Sequence, residues 1–171
     1  SAILDKYGSC EKIIRKDGFK INYKIDMQIE SNQPKNMAQT VGIGLMELPN
    51  VLNKLKPDLI FTVGDRFETM STVISASYMN IPIAHTMGGE LTGTIDESIR
   101  HAITKFSHLH FVANLDAKKR VIKLGEKPKN VFNVGCPRID EVKKILKKNN
   151  IKKTFNFINR IGVGDILDCN Q

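Results

Sequence analysis

Three observations predict an α/β fold for this chain, a doubly wound parallel sheet. Four short apolar runs, residues 59–63, 81–84, 109–112 and 131–134, lack the polar alternation of half-exposed strands, as expected when helices cover both sheet faces. Segments of helical period follow each run, so strand and helix alternate. In such sheets ligands bind beyond the carboxyl ends of the strands. Asp65, the loop from Thr86, Asn114 and Gly135 all follow apolar runs and are expected to line one rim.

In chain order, residues 1–8 read as the end of a helix that Gly8 stops, and the chain as a fragment, since Ser1 is not an initiator methionine. Ser9 is expected to cap a short helix to Asp17, with Gly18 ending it. Residues 19–27 alternate apolar and polar side chains as a strand does, and 31–34 are a loop. From Asn36 to Lys56, Met37, Val41, Leu45, Leu48, Leu52 and Leu55 recur at steps of three and four, which predicts a long amphipathic helix. Gly42, Gly44 and Pro49 are the points where it should be weakest.

The run at 59–63 leads into Gly64-Asp65-Arg66 and a helical segment to Met79. After the run at 81–84, residues 85–94 hold three glycines and three threonines, a composition that bends easily and buries badly. Thr94 and Glu97 then have the spacing of a capping box. Ile95, Ile99, Ala102, Ile103 and Phe106 fall on one face of the helix they open, leaving Asp96, Glu97, Arg100 and His101 on the others. A strand at 109–112, a helix near 115–124, a strand at 131–134 and a helix opened by Pro137 complete the alternation. Residues 1–150 are assigned to one domain and 151–171, which show no clear period, to a connector.

A net charge of +8 raises nucleic-acid binding as a class. Much of the excess is Lys143, Lys144, Lys147, Lys148, Lys152 and Lys153, with no interleaved aromatic residue, so a solvated helix face and tail is the preferred reading and no nucleic acid is expected. Cys10, Cys136 and Cys169 form no C-x-x-C pair, and the His108/His110 pair has no cysteine or H-E-x-x-H context, so no metal is expected. No apolar run approaches bilayer length; a cytoplasmic protein without a membrane partner is the default.

Several residues have a structural reading beside a functional one. Asp65 and Glu68 have capping-box spacing, so Asp65 reads equally as an N-cap and as a fixed carboxylate for chemistry. Gly88 and Gly89 permit close backbone approach to a ligand and carry Glu90 with them, although a tight turn explains them too. Asp96 could complement the helix dipole or pair with Arg100, and His101 could pair with Glu97. His85 ends an apolar run, where a hydrogen-bonded core residue is commoner than a ligand. The dinucleotide fingerprint, the Walker A sequence and the G-x-S-x-G elbow are absent from the sequence. What remains is acid/base chemistry on a small polar ligand.

Three motifs in order carry a resemblance: Lys56-Pro57-Asp58-Leu59-Ile60-Phe61-Thr62-Val63-Gly64-Asp65-Arg66-Phe67-Glu68, the stretch from Gly88-Gly89-Glu90 through Thr94-Ile95-Asp96-Glu97-Ser98-Ile99-Arg100 to Lys105, and Val134-Gly135-Cys136-Pro137. Together they resemble the hydrolysing UDP-N-acetylglucosamine 2-epimerases of sialic acid and related nonulosonic acid biosynthesis, over residues 1 to about 142. The resemblance implies the first of two Rossmann-like domains in the GT-B manner, with a sugar nucleotide between them and no cofactor. It also implies that a first strand with a Gly-Thr-Arg motif precedes Ser1, and that a second domain bearing a catalytic histidine and most of the UDP grip follows Gln171. A homo-oligomer is implied for the full-length protein, and inactivity for the fragment.

The reaction so implied removes the C2 proton, eliminates UDP to a 2-acetamidoglycal, adds water at C1 and reprotonates C2 from the opposite face. Acid/base groups near both ring faces suit it, as do carboxylates near the developing positive charge. By position, Asp65 and Asp96 match catalytic carboxylates of the family. Arg66, His85, Gly88, Gly89, Thr94, Ser98, Arg100 and Gly135 are expected to bind the substrate. Where N-acetylglucosamine-directed members usually have His-x-Glu-Gly-Gly-Glu, this chain has Met87 in place of the first glutamate, and a thioether transfers no proton. Glu90 is then the loop's remaining carboxylate, and the departure favours an altered substrate such as a UDP-2,4-diacetamido sugar leading to legionaminic acid. The alternatives are a non-hydrolysing epimerase and a non-catalytic nucleotide-sugar-binding module.

Overall fold

A computed structural model describes residues 10–31 and 33–148. The expectations for residues 1–9, including the Gly8 stop and the Ser9 cap, and for the connector at 151–171 lie outside the described residues. The elements are α1 (Cys10–Lys16), α2 (Pro34–Leu55), β1 (Ile60–Val63), α3 (Thr69–Tyr78), β2 (Ile83–Thr86), α4 (Ile95–Phe106), β3 (Leu109–Val112), α5 (Leu115–Lys123), β4 (Val131–Asn133) and α6 (Pro137–Lys148). The chain divides into two compact units, at Val134/Gly135; α6 belongs to the second, where Lys143 and Lys144 are solvent-exposed.

In the first unit the strands form one parallel sheet in the order β1-β2-β3-β4. All four carboxyl ends therefore point the same way. Strands added in one direction through right-handed crossovers put their helices on one face, and the core clusters agree. Ile83 packs with Val73 and Ala76 of α3 and Ile103 of α4, while Val112 and Val131 pack with Ala117 and Val121 of α5. The parallel α/β sheet expected from the sequence is present. The other face shows Phe61 at 59%, Val63 at 62% and Phe132 at 43% exposure, with Phe111 between the two phenylalanines, tilted to Phe61 at a centroid distance of 5.8 Å and stacked on Phe132 at 5.5 Å.

Helix α2 runs through all three of its expected weak points. Pro34 sits in its first turn, where a missing N–H costs nothing, and Lys56 ends it in a left-handed cap whose N–H donates to the Leu52 carbonyl at 2.8 Å. Gly44 is required by packing: a Cβ there would lie 2.5 Å from Ser71 Oγ of α3 and from Met27 Cε. The close approach of α2 and α3 thus overrides the weak local propensity around Gly42 and Pro49.

Residues 19–27 are not a strand. They run along α2 instead, Lys54 Nζ lying 6.0 Å from the Tyr23 ring centre, Met27 beside Gly44, and the Ile29 N–H donating to Thr40 Oγ1 at 3.0 Å. Their backbone bonds are local, such as Met27 N–H to the Ile25 carbonyl at 3.1 Å. Alternation makes a strand only where a neighbouring strand offers a ladder, and a helix lies here.

Candidate functional site

The rim begins at Gly64, whose φ of 75° turns the chain sharply out of β1. Asp65 follows and does not cap α3; the residue preceding that helix is Glu68, which makes no side-chain cap bond. The Asp65 carboxylate accepts from Arg100 Nη2 instead. Arg100 is 97% buried, since its side chain is 3% exposed, and its Nη1 donates to the Glu90 carbonyl. One guanidinium from α4 thereby ties the turn after β1 to the loop after β2. Arg100 therefore pairs with Asp65 and not with Asp96, the alternative its i+4 spacing offered.

The loop after β2 is seated on the protein, not opened toward a ligand, by its glycines. Gly89 has φ 78° and a Cβ there would lie 2.4 Å from the Ala117 carbonyl; at Gly88 it would meet Thr104 Oγ1 at 3.1 Å and His85 Nδ1 at 3.3 Å. Both glycines are buried against the protein's own groups. Arg120 of α5 donates to the Gly89 carbonyl at 2.9 Å, and the Met87 N–H donates to the Phe111 carbonyl at 2.9 Å. Met87 itself holds φ 62°, a conformation that costs a non-glycine residue energy. Glu90 is left partly exposed at the end of this loop.

Helix α4 starts at the expected place with a different cap. Thr94 is the N-cap residue in an extended conformation, but its side chain bonds Thr92 Oγ1 at 3.3 Å and no helix N–H. Glu97 does not complete the expected box either: it reaches past Thr94 to accept from the N–H groups of Thr92 (2.7 Å) and Gly93 (2.8 Å). Those bonds, the Gly93 one first, lower the Glu97 pKa. His101 pairs with Glu97 at 3.8 Å, as its spacing implied. In the first turn Asp96 is partly exposed and Ser98 exposed, with Thr94 beside them. Arg66 is 59% exposed, bonded to Glu68 at 2.7 Å and lying over the Phe67 ring.

His85 is a hydrogen-bonded core residue, as its position favoured. Its ring is fully buried, with Nε2 2.8 Å from the Gly64 carbonyl and Nδ1 3.4 Å from Thr104 Oγ1. Burial pushes its pKa down to about 4, so the ring is neutral at ordinary pH. Asn114 caps α5, its Oδ1 accepting from the Ala117 N–H at 2.8 Å. Gly135, with φ 85°, opens the second unit.

The structure thus brings Asp65, Arg100, Gly64, His85 and the Glu90 backbone into one bonded group. Thr104 and Arg120 belong to it and were not singled out by sequence. Thr104 carries a readable signal, lying one turn after Arg100 beside the core residue Ile103. Arg120 carries none that distinguishes it from its lysine neighbours. Among the described residues no cluster of three His, Cys, Asp or Glu side chains is placed to hold a metal ion, and no helix is long and apolar enough to cross a membrane.

Comparison with known proteins adds relatives to this geometry. The chain is 39% identical over 150 residues to a Legionella pneumophila protein named UDP-N,N'-diacetylbacillosamine 2-epimerase (hydrolyzing), covering 88% of this chain and 39% of that protein. It is 37% identical over 156 residues to the Campylobacter jejuni GDP/UDP-N,N'-diacetylbacillosamine 2-epimerase (hydrolyzing), covering 91% and 38%. The chain therefore spans about two fifths of the length of these curated relatives. The crystal structure of Methanocaldococcus jannaschii UDP-GlcNAc 2-epimerase with UDP-GlcNAc and UDP superposes at a TM-score of 0.71 with 24% identity, over 92% of this chain and 43% of that one, and shares its fold. Residues 8–164 match the family described as UDP-N-acetylglucosamine 2-epimerase, and the chain belongs to that family.

Proposed function

We propose that the whole protein carrying this chain is a cytoplasmic hydrolysing UDP-sugar 2-epimerase, and that these residues form one wall of its cleft. The observation that carries the reading is the placement of Asp65. It stands at the carboxyl end of β1, held by Arg100, on the same rim as Glu90 and the first turn of α4 with Asp96. A fixed carboxylate costs no reorganisation when charge develops beside it.

In the proposed reaction the C2 proton departs as its bonding pair forms the C1=C2 bond and UDP leaves C1 with the C1–O pair. Water then adds to C1 and a proton returns to C2 on the other face. The net change is UDP-sugar plus water to the free epimer plus UDP. Asp65 and Asp96 act as acid, base or electrostatic partners, with Glu90 assisting; Arg66, Thr94 and Ser98 are the exposed polar groups available to the sugar nucleotide. Met87 in the loop, and the names of the Legionella pneumophila and Campylobacter jejuni relatives at 39% and 37% identity, favour a UDP-2,4-diacetamido sugar over UDP-N-acetylglucosamine. We expect a homo-oligomer, and no turnover by the 171-residue chain alone.

Asp65→Asn and Asp96→Asn in the whole protein test the reading. Each is expected to lower kcat by roughly 100-fold or more while UDP-sugar binding persists, the usual scale for losing a positioned acid/base group. Unchanged function in both variants would instead identify a binding module.

A further inference from the structure

We propose that His85 is a positioning residue of the reaction: from beneath the rim, through Gly64 and through Thr104 to Arg100, it sets where the Asp65 carboxylate stands. The proposal rests on the epimerase reading for its kinetic consequence and on the bonded geometry for its structural one.

A carbonyl only accepts, so the 2.8 Å contact with Gly64 fixes the proton on Nε2 and leaves Nδ1 a bare acceptor. Gly64 immediately precedes Asp65, so this bond holds the main chain from which the carboxylate projects. The Thr104 hydroxyl donates its one proton to the Arg100 carbonyl at 3.0 Å and lies 3.4 Å from Nδ1, so it packs against the ring edge and seats that turn of α4 on the imidazole. The imidazole thus touches both halves of the Asp65–Arg100 pair, the backbone of one and the helical turn of the other. Nothing in this network needs a charge on the ring, and burial keeps it neutral. Gly88 packs closely over the imidazole, where a Cβ would lie 3.3 Å from Nδ1 and 3.1 Å from Thr104 Oγ1.

A filler of the same cavity would preserve shape and lose the bond, which separates positioning from packing. His85→Phe in the whole protein is expected to lower kcat at least tenfold with KM changed less than about threefold, since small misplacements of a catalytic group act on the transition state. His85→Gln, whose amide N–H reaches about as far as Nε2–H, should recover most of that loss. Thr104→Val, isosteric and leaving the Gly64 bond intact, should produce a smaller loss of the same kind. Full kcat in folded His85→Phe, or equal losses in His85→Phe and His85→Gln, would overturn the proposal.

A readout that needs no turnover keeps it distinguishable from the epimerase reading. In the whole protein, Arg100 held by Asp65 and Glu90 should give separate, slowly exchanging guanidinium N–H signals by 15N NMR. Thr104→Val and His85→Gln should keep them, and His85→Phe should merge or broaden them. Unaltered Arg100 signals in folded His85→Phe refute the positioning role even where the wild-type protein turns over no UDP-sugar. If His85→Phe does not fold, sharp Arg100 signals in folded His85→Ala carry the same refutation.

Discussion

His85 and His110 are partners in the parallel pairing of β2 and β3, both essentially without solvent exposure, yet they serve opposite ends of the sheet. His85 meets only neutral groups beneath the rim, donating to the Gly64 carbonyl and lying against the Thr104 hydroxyl. His110 faces a carboxylate at the base, its Nε2 3.2 Å from Glu126, which also pairs with Lys105 at the end of α4. Burial lowers both pKa values, and at His110 the Glu126 carboxylate opposes it. The difference teaches that equal burial does not give equal function. A neutral network fixes positions at all ordinary pH values, whereas an ionic one joins helix ends and titrates.

The sharpest contrast between the two ends lies in their glycines. Gly89→Ala at the rim drives a Cβ into the Ala117 carbonyl at a positive φ, and should destabilise the chain by about 3 kcal/mol or more, read as a fall in Tm. Gly125→Ala at the base, with φ 94° and only Lys105 Nζ near at 3.7 Å, should cost about 1–2 kcal/mol, from backbone strain alone. Equal effects would break the distinction between a packed rim and an open base.

Acid separates the histidines themselves. An unfolded histidine takes up a proton near its model value of 6.5, and folded His85 only near 4. Between those values the unfolded state holds a proton that the folded state lacks, so stability falls as pH drops through that window and levels off below it. The scale is about 3 kcal/mol, and denaturant titrations at a series of pH values read it. His110 contributes a loss of the same sign, reduced by Glu126. His85→Gln should flatten most of the acid limb; a limb unchanged in that variant would contradict the assignment.

Smaller effects belong to the base. Glu126→Gln removes the charge that opposes burial at His110, so His110 should titrate lower by NMR, with about 1 kcal/mol lost at neutral pH. Lys105→Ala should cost under about 1 kcal/mol and diminish with salt, because Lys105 is 53% exposed. A larger loss there would mean that the base, and not the rim, anchors α4.

What the sequence revealed and what it hid divide along chemical range. The strands, the start of α4 and the rim position of Asp65 follow from periodicity and turn residues within a few positions. The strand expected at 19–27 failed because alternation cannot report whether a ladder partner or a helix lies alongside. Arg100 bonding Asp65 is a contact across 35 residues, and i+4 spacing pointed to Asp96 instead. Gly88 and Gly89 were read as permitting close approach to a ligand or as a tight turn, and their packing against Thr104, His85 and α5 had no local signal. The preference for His85 as a core residue held, while its bond to Gly64 had no local signature.

The most direct test of the account is proton NMR in D2O of the whole protein with UDP-N,N'-diacetylbacillosamine and, separately, UDP-N-acetylglucosamine. The account predicts free UDP and a free manno-configured sugar carrying deuterium at C2, formed faster from the diacetamido substrate. An epimer still linked to UDP would contradict the hydrolysing assignment, and binding without turnover of either substrate would contradict the enzyme.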